Sequence, residues 1–327
     1  MKIHAGYEIS YACSQPTPMI LMLSVHPSRS ADLITPDRMQ SQPPLASNSY
    51  LDGFGNVCHV IHAPAGKTTI SSDFLVKDNG APDDIAPNAG QHALDKLPVE
   101  TLVYLLGSRY CETDQFVNIA WAQFGNIAKG WPLVQAICDF VHDHVKFGYE
   151  HASPTKTAWQ AYAEGRGVCR DFAHLAITLC RCMNIPARYC TGYLGDVRVP
   201  PDPAPMDFSA WFEVYLGDRW YTFDARHNAP RIGRILMARG RDATDVAIST
   251  SFGPCGLLGF KVVTNEVPMQ HAPANTYSTP PETPHINQNP GRPPDLVCCL
   301  RFSPYRIEFF DNGAVHSRGP KPGPVLI

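Results

Sequence analysis

Apolar and polar residues alternate through KIHAGYEISYA, where Ile3, Ala5, Tyr7, Ile9 and Tyr11 fall on one face, and short apolar runs follow in PMILMLSVHP and NVCHVIHAP between Gly, Pro and Asn punctuation. A period of two marks half-buried strands, so residues 1–85 are expected to form a small antiparallel β domain. The spacing changes near residue 86. Beyond the loop DNGAPDDIAPNAG, the segments VETLVYLLGSRY, WPLVQAICDFVHDHVKF and CRDFAHLAITLCRCMN carry apolar residues at helical intervals, whereas ARYCTGYL, SAWFEVYL and RWYTFDA return to strand patterning. Helices followed by an antiparallel sheet predict an α+β domain over 86–265. Residues 266–327 open with QHAPANTYSTPPETPHINQNPGRPPD, rich in Pro and Asn with little to bury, which predicts a disordered linker and a C-terminal extension with one short hairpin signal.

Composition narrows the partners. Hydrophobic residues make up 44% and charged residues 17% of the 327, and the formal net charge is −3, so nothing electrostatic argues for nucleic acid. No apolar run reaches the roughly 18 residues that span a bilayer, and MKIHAGYEIS has no secretory apolar core. A cytoplasmic protein without membrane contact is expected. The eleven cysteines include no CxxC pair and no regular spacing, so neither a disulfide framework nor a zinc site is indicated and most are expected to be reduced, buried thiols.

One cysteine stands apart. In YAEGRGVCRDFAHL, Gly165 and Gly167 precede Cys169, and the amphipathic run behind it places that thiol in the first turn of a helix. A helix N-terminus stabilises thiolate, the nucleophilic form. Cysteine is also among the most often buried residues, and simple packing suffices for Cys138, Cys180, Cys182 and Cys190.

The segment DFSAWFEVYLGDRWYTFDARHN predicts a hairpin. A two-residue turn at Gly217-Asp218 sets Leu216 against Arg219 and carries the register back until Trp211 lies opposite Asp224. Alternation sends Ala210, Phe212, Val214 and Leu216 to a core face and Ser209, Trp211, Glu213 and Tyr215 to a face too polar for core. A carboxylate on that second face is either a structural acceptor or the orienting acid of a catalytic group.

Taken together, GVCRDFAHL, ARYCTGYL, SAWFEVYL and WYTFDARHN resemble the core of bacterial transglutaminase-like proteins, in the papain-like thiol hydrolase group, preceded by an N-terminal β domain. The resemblance implies a Cys-His-Asp triad. Cys169 and Asp224 match its cysteine and aspartate, but SAW stands where HAW is expected, so Ser209 occupies the histidine position. A serine hydroxyl neither takes up nor releases a proton near neutral pH, so it cannot replace the imidazole as base.

Three histidines are candidates for the missing base. His227, three residues beyond Asp224, is preferred, because a turn after Ala225 would swing its ring back toward Cys169. His174 lies about 140° around the helix from Cys169 and suits a structural role better. His151 sits in a loop that nothing orients. Ser209, Trp211 and His174 are the further residues expected to line the site, with packing as the alternative for Trp211.

Weaker signals carry less. GKTT at 66–69 is similar to a phosphate loop but lacks its leading glycine and sits among strands. His142 and His144, two apart on a helix, cannot share a face to bind metal. Asp171 is expected to serve the first turn of its helix. Arginines 226, 231, 234, 239 and 241 are more simply ion-paired than substrate-binding.

The implied activity is a thiol enzyme acting on protein or peptide amide bonds through a thioester, with water or an amine as acceptor. The alternative is an inactive transglutaminase-like module that binds peptides or proteins. No cofactor, metal or calcium loop is indicated.

Overall fold

Twelve of the first thirteen residues form a strand, and its two partners lie far apart in the chain. In a computed structural model describing residues 1–268, the strands of the first segment are β1 (Lys2–Cys13), β2 (Thr17–Leu21), β3 (Gln40–Gln42), β4 (Ser47–Leu51), β5 (Val57–Ala63) and β6 (Gly66–Lys77). Four helices follow: α1 (Thr113–Phe124), α2 (Trp131–His144), α3 (Ala158–Glu164) and α4 (Cys169–Cys182). The short strands β7 (Lys146–Phe147) and β8 (Arg166–Gly167) pair in parallel between them. The remaining strands are β9 (Ala187–Tyr193), β10 (Ser209–Leu216), β11 (Arg219–Phe223), β12 (Ile235–Gly240), β13 (Ser249–Ser251) and β14 (Cys255–Val267).

Three four-stranded antiparallel sheets result, ordered β14-β1-β6-β3, β13-β2-β5-β4 and β11-β10-β9-β12. The alternation in β1 is realised, since Ile3, Ala5, Tyr7, Ile9 and Tyr11 are all buried. The partners of β1 and β2 are less local: β14 and β13 return from beyond the core to pair with them and complete the first two sheets. At the end of this pairing Cys13 opposes Cys255, and the two are disulfide-bonded. This pair is the exception among thiols mostly expected to be reduced, and a sequence separation of 242 hides it from sequence spacing. Cys58, Cys111, Cys138, Cys180, Cys182 and Cys190 are buried thiols.

The helical part also differs in detail. VETLVYL forms a 3-10 helix, Val99–Leu105, after Pro98, with Val99 exposed and Tyr104 buried. The chain's first α-helix is α1, which sequence patterning missed because its buried positions are only Phe116, Ala120 and Phe124, one per turn. Every residue of α4 is buried, between the third sheet on one side and α1, α2 and α3 on the others. Its polar residues are therefore bonded internally. Arg181 donates to the carbonyls of Leu106, Ala187 and Arg241 and to the hydroxyl of Ser108.

GKTT opens β6 and is followed by no helix, which removes the phosphate-loop reading. No helix among the described residues is long and apolar enough to cross a membrane. The linker and hairpin expected within 266–327 lie outside the described residues from position 269 onward.

Candidate active site

The thiol is positioned by its own turn. Gly165, in the left-handed region at φ 62°, ends α3, and Val168 precedes the first residue of α4, which is Cys169. At Gly167 a Cβ would lie 2.6 Å from the Asp171 carboxylate, so only glycine lets that side chain fold back. Asp171 Oδ2 accepts the Val168 N–H at 2.9 Å, the first-turn role expected of it. Cys169 is thus set at the positive end of a 14-residue helix.

The hairpin supplies the opposite wall. Gly217 and Asp218 have φ of 51° and 68°, the left-handed pair of a type I′ turn, and Leu216 pairs with Arg219 through to Phe212 with Phe223. One further step brings Trp211 to Asp224. Asp224 then builds the turn that follows it: Oδ1 accepts the N–H groups of Arg226 at 3.0 Å and His227 at 3.1 Å, and the Asn228 N–H donates to the Asp224 carbonyl at 2.8 Å. This turn reverses the chain after Ala225, and the His227 Nδ1 sits 2.8 Å from Asp224 Oδ2. Arg234 Nη2 donates to the same oxygen at 2.9 Å. Burial alone would raise the Asp224 pKa, but the Arg234 guanidinium and the bonds from His227 hold it well below the usual carboxylate range.

Cys169, Ser209 and His227 line one cleft with about 570 Å³ of open space, rimmed by Tyr149, Asp207 and Arg226. With Nδ1 committed to a buried carboxylate, Nε2 is the imidazole nitrogen left for chemistry. The geometry brings together a thiol, a serine and an Asp-bound histidine.

Two expected lining residues lie elsewhere. Trp211 is 2% exposed, does not reach the cleft that Ser209 lines, and packs with Cys190 and Leu236 beneath Arg234. The face judged too polar for core is largely buried, with Glu213 bonded to Arg188 at 2.6 Å and Arg29 reaching the Arg234 carbonyl at 2.7 Å. His174 is fully buried, stacked on Tyr110 at 5.0 Å, and its Nε2 accepts the Ala243 N–H at 3.1 Å. Helical rotation carries it away from the cleft. His151 lies beside Glu150 and Lys156, and His142 and His144 bond to carbonyls of the 225–226 turn and of Tyr162. Of the arginine cluster, Arg231, Arg234 and Arg241 pair with Asp196, Asp83 and Asp245, while Arg226 lies over the Phe147 ring.

Burial drives the His174 pKa down to about 3 and that of His26, another buried ring, to about 4, from an ordinary 6.5. Between those values and 6.5 the unfolded chain binds more protons than the folded one, so stability falls as pH falls through that window. The unfolding free energy is expected to fall from pH 7 to pH 5 with a slope approaching about 1.4 kcal/mol per pH unit for each histidine below 6.5, and the urea midpoint to fall with it. A midpoint flat over that range would contradict neutral burial.

Sequence reasoning did not single out Asp83, which bonds Arg234 Nε at 2.9 Å across 151 residues, nor the cleft residues Tyr149 and Asp207. Nothing local to Asp83 signals that contact. Its only hint is its place in an acidic loop.

Residues 120–225 match the model of the transglutaminase-like superfamily, a span that contains Cys169, Ser209 and Asp224 and ends two residues before His227. A candidate cysteine protease from Cytophaga hutchinsonii is similar in structure, with TM-score 0.69 and 28% identity over 84% of this chain and 93% of its own. An uncharacterised protein of Mycobacterium leprae is 24% identical over 221 residues, 64% of this chain and 77% of its own. One from Mycobacterium tuberculosis strain H37Rv is 27% identical over 219 residues, covering 60% and 68%.

Proposed function

Because the chain is a transglutaminase-like protein, we propose that it is a thiol enzyme acting on protein or peptide amide bonds, with Cys169 as nucleophile, His227 as base and Asp224 as orienting acid. One observation carries this reading: the Asp-bound His227 lines the same cleft as Cys169, where Ser209 stands at the strand position matched to a histidine. The imidazole has moved from one strand of the hairpin to the turn beyond the other.

The reaction follows from these groups. His227 Nε2 takes the thiol proton, and the thiolate attacks the amide carbonyl carbon, forming a C–S bond and an oxyanion. N–H groups at the start of α4 are the donors suited to that oxyanion. As the oxyanion collapses, His227 gives its proton to the departing amine and the C–N bond breaks, leaving a thioester. Water or a second amine then loses a proton to His227 and displaces the thiolate, giving hydrolysis or transamidation. Asp224 stays ionised, fixes Nδ1–H and stabilises the imidazolium. No step calls on a cofactor, and the reading takes peptides or proteins as the protein's partners.

Iodoacetamide labelling across pH, followed by peptide mass spectrometry, tests the reading. Burial pushes the Cys111 thiol up to about 12 and the Cys182 thiol up to about 11, so both serve as slow internal controls. Cys169 is expected to label selectively with a midpoint well below the reference of about 8.5. Slow labelling with an ordinary midpoint would favour the inactive peptide-binding module.

A further inference from the structure

Behind the orienting acid stands a second carboxylate. Arg234 bridges the two, with Nη2 on Asp224 at 2.9 Å and Nε on the Asp83 oxygens at 2.9 and 3.2 Å. Its guanidinium lies 5.0 Å from the centroid of the Trp211 ring, so it is held on two edges and one face. Asp83 is anchored in turn, accepting the Arg231 N–H at 2.9 Å and donating its own N–H to the Arg231 carbonyl at 2.9 Å. All of these groups are buried or half-buried.

The charges in this row have a consequence for the imidazole. A lone arginine against Asp224 would cancel the field that stabilises an imidazolium at His227. Asp83 cancels that arginine instead, so the three groups together keep one net negative charge beside the ring. Both Asp224 oxygens are also engaged, Oδ1 by two backbone N–H groups and Oδ2 by Arg234 and His227, which prevents the carboxylate from rotating.

We propose that Arg234 and Asp83 are positioning residues for the thiol reaction: Arg234 fixes the orientation of Asp224, and Asp83 offsets the arginine charge so that the acid can still support an imidazolium. This inference rests on His227 acting as the base. The other charged groups facing His227 are Asp196, Asp202, Asp207, Arg226 and Arg231 in the cleft, with Asp139 and His142 of α2 behind the turn. They are common to every variant below and do not set the direction of a change between variants.

The test compares iodoacetate with iodoacetamide at Cys169. A cationic imidazolium beside the thiolate attracts the anionic reagent, so the ratio of the two rates stays high until the ring loses its proton and then falls. Asp83→Asn leaves the arginine charge unopposed and is expected to move that fall to lower pH by about half a unit or more. Arg234→Gln removes the cation and is expected to move it to higher pH by a similar amount. Shifts in the same direction, or no shift in either, overturn the proposal. Should Arg234→Gln fail to fold, Asp83→Asn decides alone, and an unmoved or raised limb overturns it. The parent reading has its own control: if His227→Gln leaves the wild-type ratio profile unchanged, His227 is not the base and the inference falls with it.

Discussion

His227→Gln is expected to slow acylation of Cys169 by an amide substrate about 10²- to 10⁴-fold while leaving the fold intact. The loss has two parts. The imidazole promotes thiolate formation, and it also protonates the departing amine, a need that a good leaving group such as p-nitrophenolate does not share. Single-turnover acylation by a peptide p-nitroanilide should therefore fall further than acylation by the matching p-nitrophenyl ester. Ser209 lies in the same cleft as Cys169. Ser209→His in the His227→Gln background is accordingly expected to regain part of the lost rate, by returning an imidazole to the strand position. Full amide turnover in His227→Gln would remove that residue from the mechanism.

The second large effect is on stability. Arg181→Met is expected to cost about 3–5 kcal/mol, because the carbonyls of Leu106, Ala187 and Arg241 would lose a buried charged donor together. Arg181 is 3% exposed, and these carbonyls belong to the residue after the 3-10 segment, the start of β9 and the residue after β12. Methionine fills similar volume, so the penalty comes from unpaired acceptors more than from a cavity. For a chain of this size the thermal midpoint should fall by roughly 10 °C. Below that midpoint the alkylation profile of Cys169 should match wild type. A loss under 1 kcal/mol would mean that water replaces the guanidinium at those carbonyls.

Most of the candidate site was legible because it is built locally. The Gly-Asp turn fixes the β10–β11 register over five residues on either side, and the turn returning His227 is made by Asp224, three residues before it. Cys169 could be placed because glycine and helix-start signals lie beside it. What could not be read depends on distant chain. Asp83 reaches Arg234 across 151 residues, and Cys13 meets Cys255 across 242. Alternation placed Trp211 on the correct face of β10, but it could not show that Arg234 and the 28–32 segment would cover that face. His174 illustrates a related difficulty: α4 is buried all round, so an apolar stripe no longer separates a solvent side from a core side.

The place of β14 against β1 bears on how the molecule is made. Lys2 pairs with Val267 and Cys13 with Cys255, so β1 meets this neighbour only after the whole of the α+β core has been synthesised. The same delay holds for β2, whose partner β13 begins at Ser249. During synthesis at about 5–20 residues per second, β1 and β2 therefore each carry an open edge for at least ten seconds or so, while hairpin pairing takes microseconds. An uncovered edge strand invites pairing with other chains. The nascent protein is thus most exposed to misassembly just before β13 and β14 arrive, and a holding chaperone would have its greatest effect on yield in that interval.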